Sequence, residues 1–142
     1  MQFNYAAIFV AALAYFILGW IWHSPLLFGN VWMKLMGIKM PSKSERKKMM
    51  ASMYKAMVGN YLANVVVAFV LDWLIKVCGP AGNASGIQAG VQTAIWIWAG
   101  FIFTSQLNSV LWEKRPVKLF FINVGHYLVG YILMGVILAA WQ

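Results

Sequence analysis

The sequence predicts an all-α integral membrane protein: a four-helix bundle with a short interfacial helix after the first span and with both the N-terminus and the C-terminus outside. Three observations carry that expectation. Four long apolar runs occur within 142 residues, each about long enough to cross a ~30 Å hydrocarbon core as a helix of roughly 20 residues. Ten of the eleven Lys and Arg residues lie between the first and second runs or between the third and fourth, and positively charged flanks stay cytoplasmic during insertion. With 63% hydrophobic residues, 10% charged residues and a mean hydropathy of +0.73, a soluble domain of this length would have to coat its surface in apolar side chains. One transmembrane domain is expected over residues 1–142, with spans at about 5–23, 55–77, 87–112 and 117–141 and the interfacial helix at about 26–36.

The first span lacks a basic leader and runs into Trp20, Trp22 and Pro25 rather than a small-residue cleavage site, so it is expected to remain in the mature protein. It should stop near His23, because Pro25 has no amide donor and biases Ser24 away from helical geometry. In the stretch that follows, Leu27, Val31 and Leu35 recur at helical spacing while Trp32 and Lys34 suit a headgroup boundary. That pattern favours an interfacial helix over a re-entrant segment.

Gly37 and Pro41 interrupt the chain, and Ser42 with Glu45 matches a capping box. A helix running from there to Val77 would cover about 36 residues, on the order of 54 Å. Its basic first turns, with Lys43, Arg46, Lys47 and Lys48, should then project into the cytosol, where anionic lipid headgroups attract them. Gly79 and Pro80 are expected to end it and to open a short outer turn. Glu113 to Pro116 joins the last two spans as a tight hairpin, with Pro116 placed as a first helical residue. Trp20, Trp22, Trp32 and Trp112 fall near the inner boundary and Trp73 and Trp141 near the outer one, as an aromatic belt. Of the deeper Trp96 and Trp98, at least one should pack between helices with its indole N–H on a partner.

Polar residues within spans are the informative ones, since each must find a partner or bear exposure to lipid. Asn60 and Asn64 are one turn apart, as are Thr104 and Asn108; Asn123 and His126 share a face, and His23 closes the first span. All lie within about ten residues, or ~15 Å, of the basic side. They suggest either an interlocking hydrogen-bonded layer, the preferred reading, or a polar pocket opening toward the cytosol, which His126 favours as a group able to change protonation near neutral pH. On the outer side Asp72 and Lys76 are spaced for a helix-surface ion pair, which reads as an interface residue rather than a gating carboxylate. Gly59 with Ala63, Gly86 with Gly90, and Gly125, Gly130 and Gly135 allow close helix approach, within one chain or between copies.

Catalytic constellations are absent from the sequence: there is no intramembrane carboxylate pair, no HExxH and no GxSxG. No catalytic residue, metal site or cofactor is expected, because no two ligands share a helix at ligand spacing and Cys78 is the only cysteine. The net charge of +8 is explained by topology and lipid headgroups, so no nucleic-acid partner is expected.

The stretch GWIWHSPLLFGNVWMKLMG, Gly19 to Gly37, and the stretch from Asn108 to Trp141 resemble the two signature regions of the domain-of-unknown-function 1761 family of small four-helix membrane proteins. The resemblance implies architecture and no activity. His23 stands where members usually carry Tyr before Ser-Pro, and His126-Tyr127 reverses their usual order. One position rotates an imidazole by about 100° on a helix, which counts against an essential chemical role for either histidine.

The sequence therefore reads as a non-enzymatic membrane module of the cell (inner) membrane that binds a lipid, a small molecule or a protein partner, with membrane lipids and a homo-oligomer as expected partners. The alternative is a small oligomeric transporter or channel with a polar pathway between helices.

Overall fold

A computed structural model describes residues 2–39 and 41–141, and every regular element among them is helical. In chain order these are α1 Tyr5–Trp22, α2 Gly29–Leu35, α3 Lys43–Ser52, α4 Tyr54–Ala81, α5 Gly86–Ile97, a π-helical segment Trp98–Phe103, α6 Thr104–Leu111 and α7 Val117–Ala140. Four spans, Tyr5–Trp22, Tyr54–Ala81, Gly86–Leu111 and Val117–Ala140, are long and apolar enough to cross a membrane. α1 packs on α4 and α7, and α5 closes the ring by packing on the same two helices.

Lipid removes the hydrophobic drive between spans, so close packing has to hold them together. Ala7, Ala11 and Ala12 bring α1 against its neighbours, and Ala68, Leu71 and Ile75 do so for α4. The tightest contact joins α5 to α7: a Cβ on Gly90 would lie 2.2 Å from the Gly135 carbonyl oxygen, and one on Gly135 would lie 2.5 Å from that of Gly90. Gly130 admits the Tyr15 ring, whose nearest atom would be 2.2 Å from an added Cβ. Of the small residues singled out by spacing, Gly90, Gly130 and Gly135 thus serve contacts within the chain, whereas Gly59 and Gly86 face nothing within 4 Å. At the same end, Asn4 caps α1 through Ala7 N–H and donates to the Trp141 carbonyl at 2.9 Å, tying the two ends of the chain together.

Several boundaries differ from expectation. The 36-residue helix is interrupted at Met53, whose N–H still bonds the Met49 carbonyl at 3.0 Å while Ser52 Oγ donates to the same carbonyl at 2.9 Å. The capping box that starts α3 is present, with Ser42 N–H donating to Glu45 Oε2 at 2.7 Å. Pro80 does not end α4 but sits inside its last turn, where a missing amide costs one bond. Gly82 N–H closes the helix on the Cys78 carbonyl at 2.9 Å, and Asn83 turns the chain at φ 54°. Pro116 caps α7 with ψ 133° and is not its first helical residue. The short helix after the first span begins at Gly29 rather than residue 26, because Leu27, Phe28 and Gly29 amides are spent on Ser24 and Trp22 carbonyls. A Cβ at Gly29 would lie 2.3 Å from the His23 carbonyl oxygen, so only glycine fits that turn.

The third span is not a regular helix. Its π segment leaves carbonyls poorly paired in the usual register, and Thr104 Oγ1 donates to Gly100 O at 2.7 Å while Ser105 Oγ donates to Ile102 O at 3.0 Å. Trp98 anchors the segment, its indole N–H reaching the Val124 carbonyl of α7 at 2.8 Å. Beyond it, α6 packs mainly on α7, and the contact of α4 with the third span lies in α5.

Candidate functional site

That divergence opens a cavity of about 740 Å³ at the end of the ring that carries the basic connections. Its floor is the aromatic cluster where the first and last spans meet. Gly19 leaves room for the His126 ring, whose Nε2 would lie 3.3 Å from an added Cβ. His126 stacks on Tyr15 with centroids 5.1 Å apart and meets His23 edge-on at 5.1 Å. His23 is fixed in turn by Nδ1 on the Gly19 carbonyl at 2.9 Å and by Trp32, edge-on at 5.4 Å. Trp22 donates to the Ile122 carbonyl at 3.1 Å and lies over Gly125. Trp22 and Trp98 thus both donate to carbonyls of α7, on either side of Asn123.

Of the seven polar residues expected at this depth, His23, Asn60, Asn64, Asn123 and His126 line the cavity. Thr104 and Asn108 do not, and both are exposed on the third span. The π segment changes the pitch just before them, so the face inferred from regular helical spacing turns outward and Gln106 lines the cavity instead. The preferred interlocking layer is not what these side chains form. Among the described residues, Asn64 Nδ2 to Asn60 Oδ1, at 3.1 Å, is the one hydrogen bond joining two of the seven side chains, and His126 Nε2 is buried without a partner.

Sequence reasoning also passed over Tyr15, Tyr127 and Arg115, which share the lining. Tyr15 could have been found, since it lies four and eight residues before Gly19 and His23 on one helix face. In the sequence Arg115 stands out only as one of the basic residues that set topology. It is positioned by a turn in which Lys114 adopts φ 53° and Arg115 N–H bonds the Ser109 carbonyl at 3.0 Å. Its Nε donates to Glu113 Oε2 at 2.6 Å, and Nη1 points at Met36 Sδ at 3.4 Å.

The remaining ionisable groups lie elsewhere. Asp72, expected at an interface, is instead buried at 2% exposure, because α4 turns the stripe Ala68, Leu71, Asp72 and Ile75 into the ring. Lys76 pairs with it as the spacing predicts, its ammonium 5.0 Å from the Phe3 ring centroid. Trp32 is half-buried against His23, while Lys34, Lys43, Arg46, Lys47 and Lys48 are exposed. No group of three or more His, Cys, Asp or Glu that could hold a metal occurs among the described residues.

Four packed helices of membrane-spanning length and composition, with a partly polar cavity at one end, mark a multi-pass helical membrane protein. The chain belongs to the family of proteins of unknown function designated DUF1761, whose sequence profile matches residues 6–139. Neither a curated protein nor a solved structure matches it. The two stretches that carry the family resemblance, from Gly19 and from Asn108, supply half of the cavity lining; α4 supplies most of the remainder.

Proposed function

We propose that this protein is a non-enzymatic membrane module that binds a lipid or other small amphipathic molecule in the cavity at its basic end. The cavity itself carries the reading. Its volume of about 740 Å³ falls in the ~300–1,000 Å³ range of small-molecule sites, which combine apolar walls with a few placed polar groups. Met36, Met53, Met57, Phe16 and Trp20 supply the apolar surface; Asn60, Asn123, Gln106 and Arg115 supply the polar groups.

Orientation follows from charge. With the basic connections cytoplasmic, both termini lie outside, α2 lies along the inner interface of the cell membrane, and the cavity faces the cytosol and the inner leaflet. Lys34, Lys43, Arg46, Lys47 and Lys48 then meet anionic headgroups. The exposed amides of Gln92 and Asn108 on the third span give a second copy of the chain polar groups to pair with. A transporter or channel would need a polar route through the other half. There, Gly90 meets Gly135 backbone to backbone and Asp72 is tied to Lys76, so the binding reading is the better supported.

The test is native mass spectrometry of protein released gently from its membrane, beside an Ala63→Phe variant that places a ring in the cavity. A discrete small-molecule adduct on the natural chain, lost from a variant that still folds, is the expected result. A bare protein, or an adduct that Ala63→Phe leaves in place, would remove the cavity from the account.

A further inference from the structure

Resting on that reading, we propose that the ligand is a lipid of the inner leaflet with an anionic, phosphate-bearing headgroup, that it reaches the cavity sideways between α4 and α6, and that Arg115 is its anion-binding residue.

Charge decides the headgroup. The chain has three acidic residues, and none lines the cavity: Glu45 caps α3, Asp72 is paired with Lys76 at the other end, and Glu113 bonds Arg115 Nε from outside the lining. The lining offers amides, imidazoles, phenols and one guanidinium, and the nearby Glu113 carboxylate engages that guanidinium at Nε, leaving its terminal nitrogens for an anion.

Arg115 shows where the anion sits. Guanidinium presents five donors in a planar fork that matches phosphate. Here Glu113 takes Nε, while Nη1 has only the thioether of Met36 at 3.4 Å, and a thioether sulfur is a weak acceptor. A charged donor facing sulfur at a cavity wall gains a much better partner when a phosphate oxygen takes that place. Lys114 and Lys118 flank the same turn and add to the attraction.

Packing decides the route. Above the π segment α5 is held to both α4 and α7, whereas below it α6 leans on α7. The cavity lining continues from Met57 and Asn60 on α4 to Gln106 on α6, two helices that do not pack closely on each other. An acyl chain leaving through this gap runs over methionines, whose flexible side chains adapt to an irregular apolar guest.

The experiment titrates the full-length protein in neutral detergent with phosphatidylglycerol, with phosphatidylcholine of the same acyl chains, and with inorganic phosphate, read by native mass spectrometry. Phosphatidylglycerol should bind at about tenfold lower concentration than phosphatidylcholine, as expected for a charge-assisted forked contact. Arg115→Gln should abolish that preference, and Arg115→Lys, which keeps charge without the fork, should retain part of it. Gln106→Trp should slow lipid uptake, and an unchanged rate would overturn the sideways route. Equal binding of both lipids, lost in Ala63→Phe, would overturn the anionic headgroup while leaving the cavity reading intact. Displacement of phosphatidylglycerol by inorganic phosphate at similar concentration would assign the site to a free anion, and no adduct under any condition would overturn both readings.

Discussion

Gly135→Ala tests the contact that makes one end of the ring solid and so confines the cavity to the other. The new Cβ would lie 2.5 Å from the Gly90 carbonyl oxygen and 2.9 Å from its carbon, and 3.4 Å from Ala94 Cβ. Ordinary contact begins near that last distance, so α5 and α7 must part by most of an ångström against backbone atoms that have no rotamer to change. Overpacking costs roughly 1–3 kcal/mol when side chains can give, and the rigid obstacle puts this variant at the upper end, about 3 kcal/mol. The same substitution at Gly59, which faces nothing within 4 Å, should instead stabilise by about 0.5–1 kcal/mol through helix propensity. Gly90→Ala, whose Cβ would lie 2.2 Å from the Gly135 carbonyl oxygen and 2.8 Å from Ala139 Cβ, should cost at least as much as Gly135→Ala, and the double variant should fall well short of the sum, because both insert into one contact. Reversible unfolding in detergent, followed by steric trapping, measures all four. If Gly135→Ala proves as harmless as Gly59→Ala, the helices do not meet as described.

Gly29→Ala puts a Cβ 2.3 Å from the His23 carbonyl oxygen and should destabilise by about 3 kcal/mol or more, with the loss also visible as disordered exchange kinetics over α2. Lys76→Met strands a buried Asp72 and should cost about 3–5 kcal/mol; adding Asp72→Asn should recover much of it, and no recovery in the same unfolding assay would argue against burial of the carboxylate. Trp98→Phe removes the 2.8 Å bond to the Val124 carbonyl and should cost about 0.6 kcal/mol, the membrane average for one such bond. The Ser42 hydroxyl, and next its backbone N–H, hold the Glu45 carboxyl below the usual carboxylate range. The cap is therefore fully effective above the ordinary carboxylate pKa and is lost as pH falls through the lower folded value; amide exchange in the first turn of α3 should accelerate across that window relative to the intrinsic rate, and a flat profile would count against the cap.

The spans and the capping box could be read from the chain because both signals are local. Eighteen or more apolar residues read as a crossing whatever their neighbours do, and Ser42 needs only Glu45 three residues on. The errors arise where a distant partner or a side chain decides. The break at Met53 falls in a stretch that composition alone would continue as one helix. The π segment begins at Trp98, whose hydrogen-bond partner Val124 lies across the ring; beyond it Thr104 and Asn108 are exposed and Gln106 lines the cavity. Arg115 was hidden by its own usefulness as a topology marker. Asp72 was misplaced because the spacing to Lys76 fixes the pair but not which way the pair faces. His23 and His126 were found separately, but only the fold shows them ring to ring, over the gap that Gly19 leaves.

Cysteine accessibility tests the central claim most directly, because a cavity open at the basic end and closed at the other makes opposite demands on two sets of positions. With exposed Cys78 replaced by Ser, single cysteines at Met57, Asn60 and Asn123 should react with a membrane-impermeant maleimide applied from the side of the basic connections, and cysteines at Ala68, Ile75 and Leu138 should stay unreactive from either side. Labelling that runs on from the first set into the second would contradict a one-ended cavity and establish a continuous polar path; no labelling at Asn60 or Asn123 would contradict an open cavity altogether.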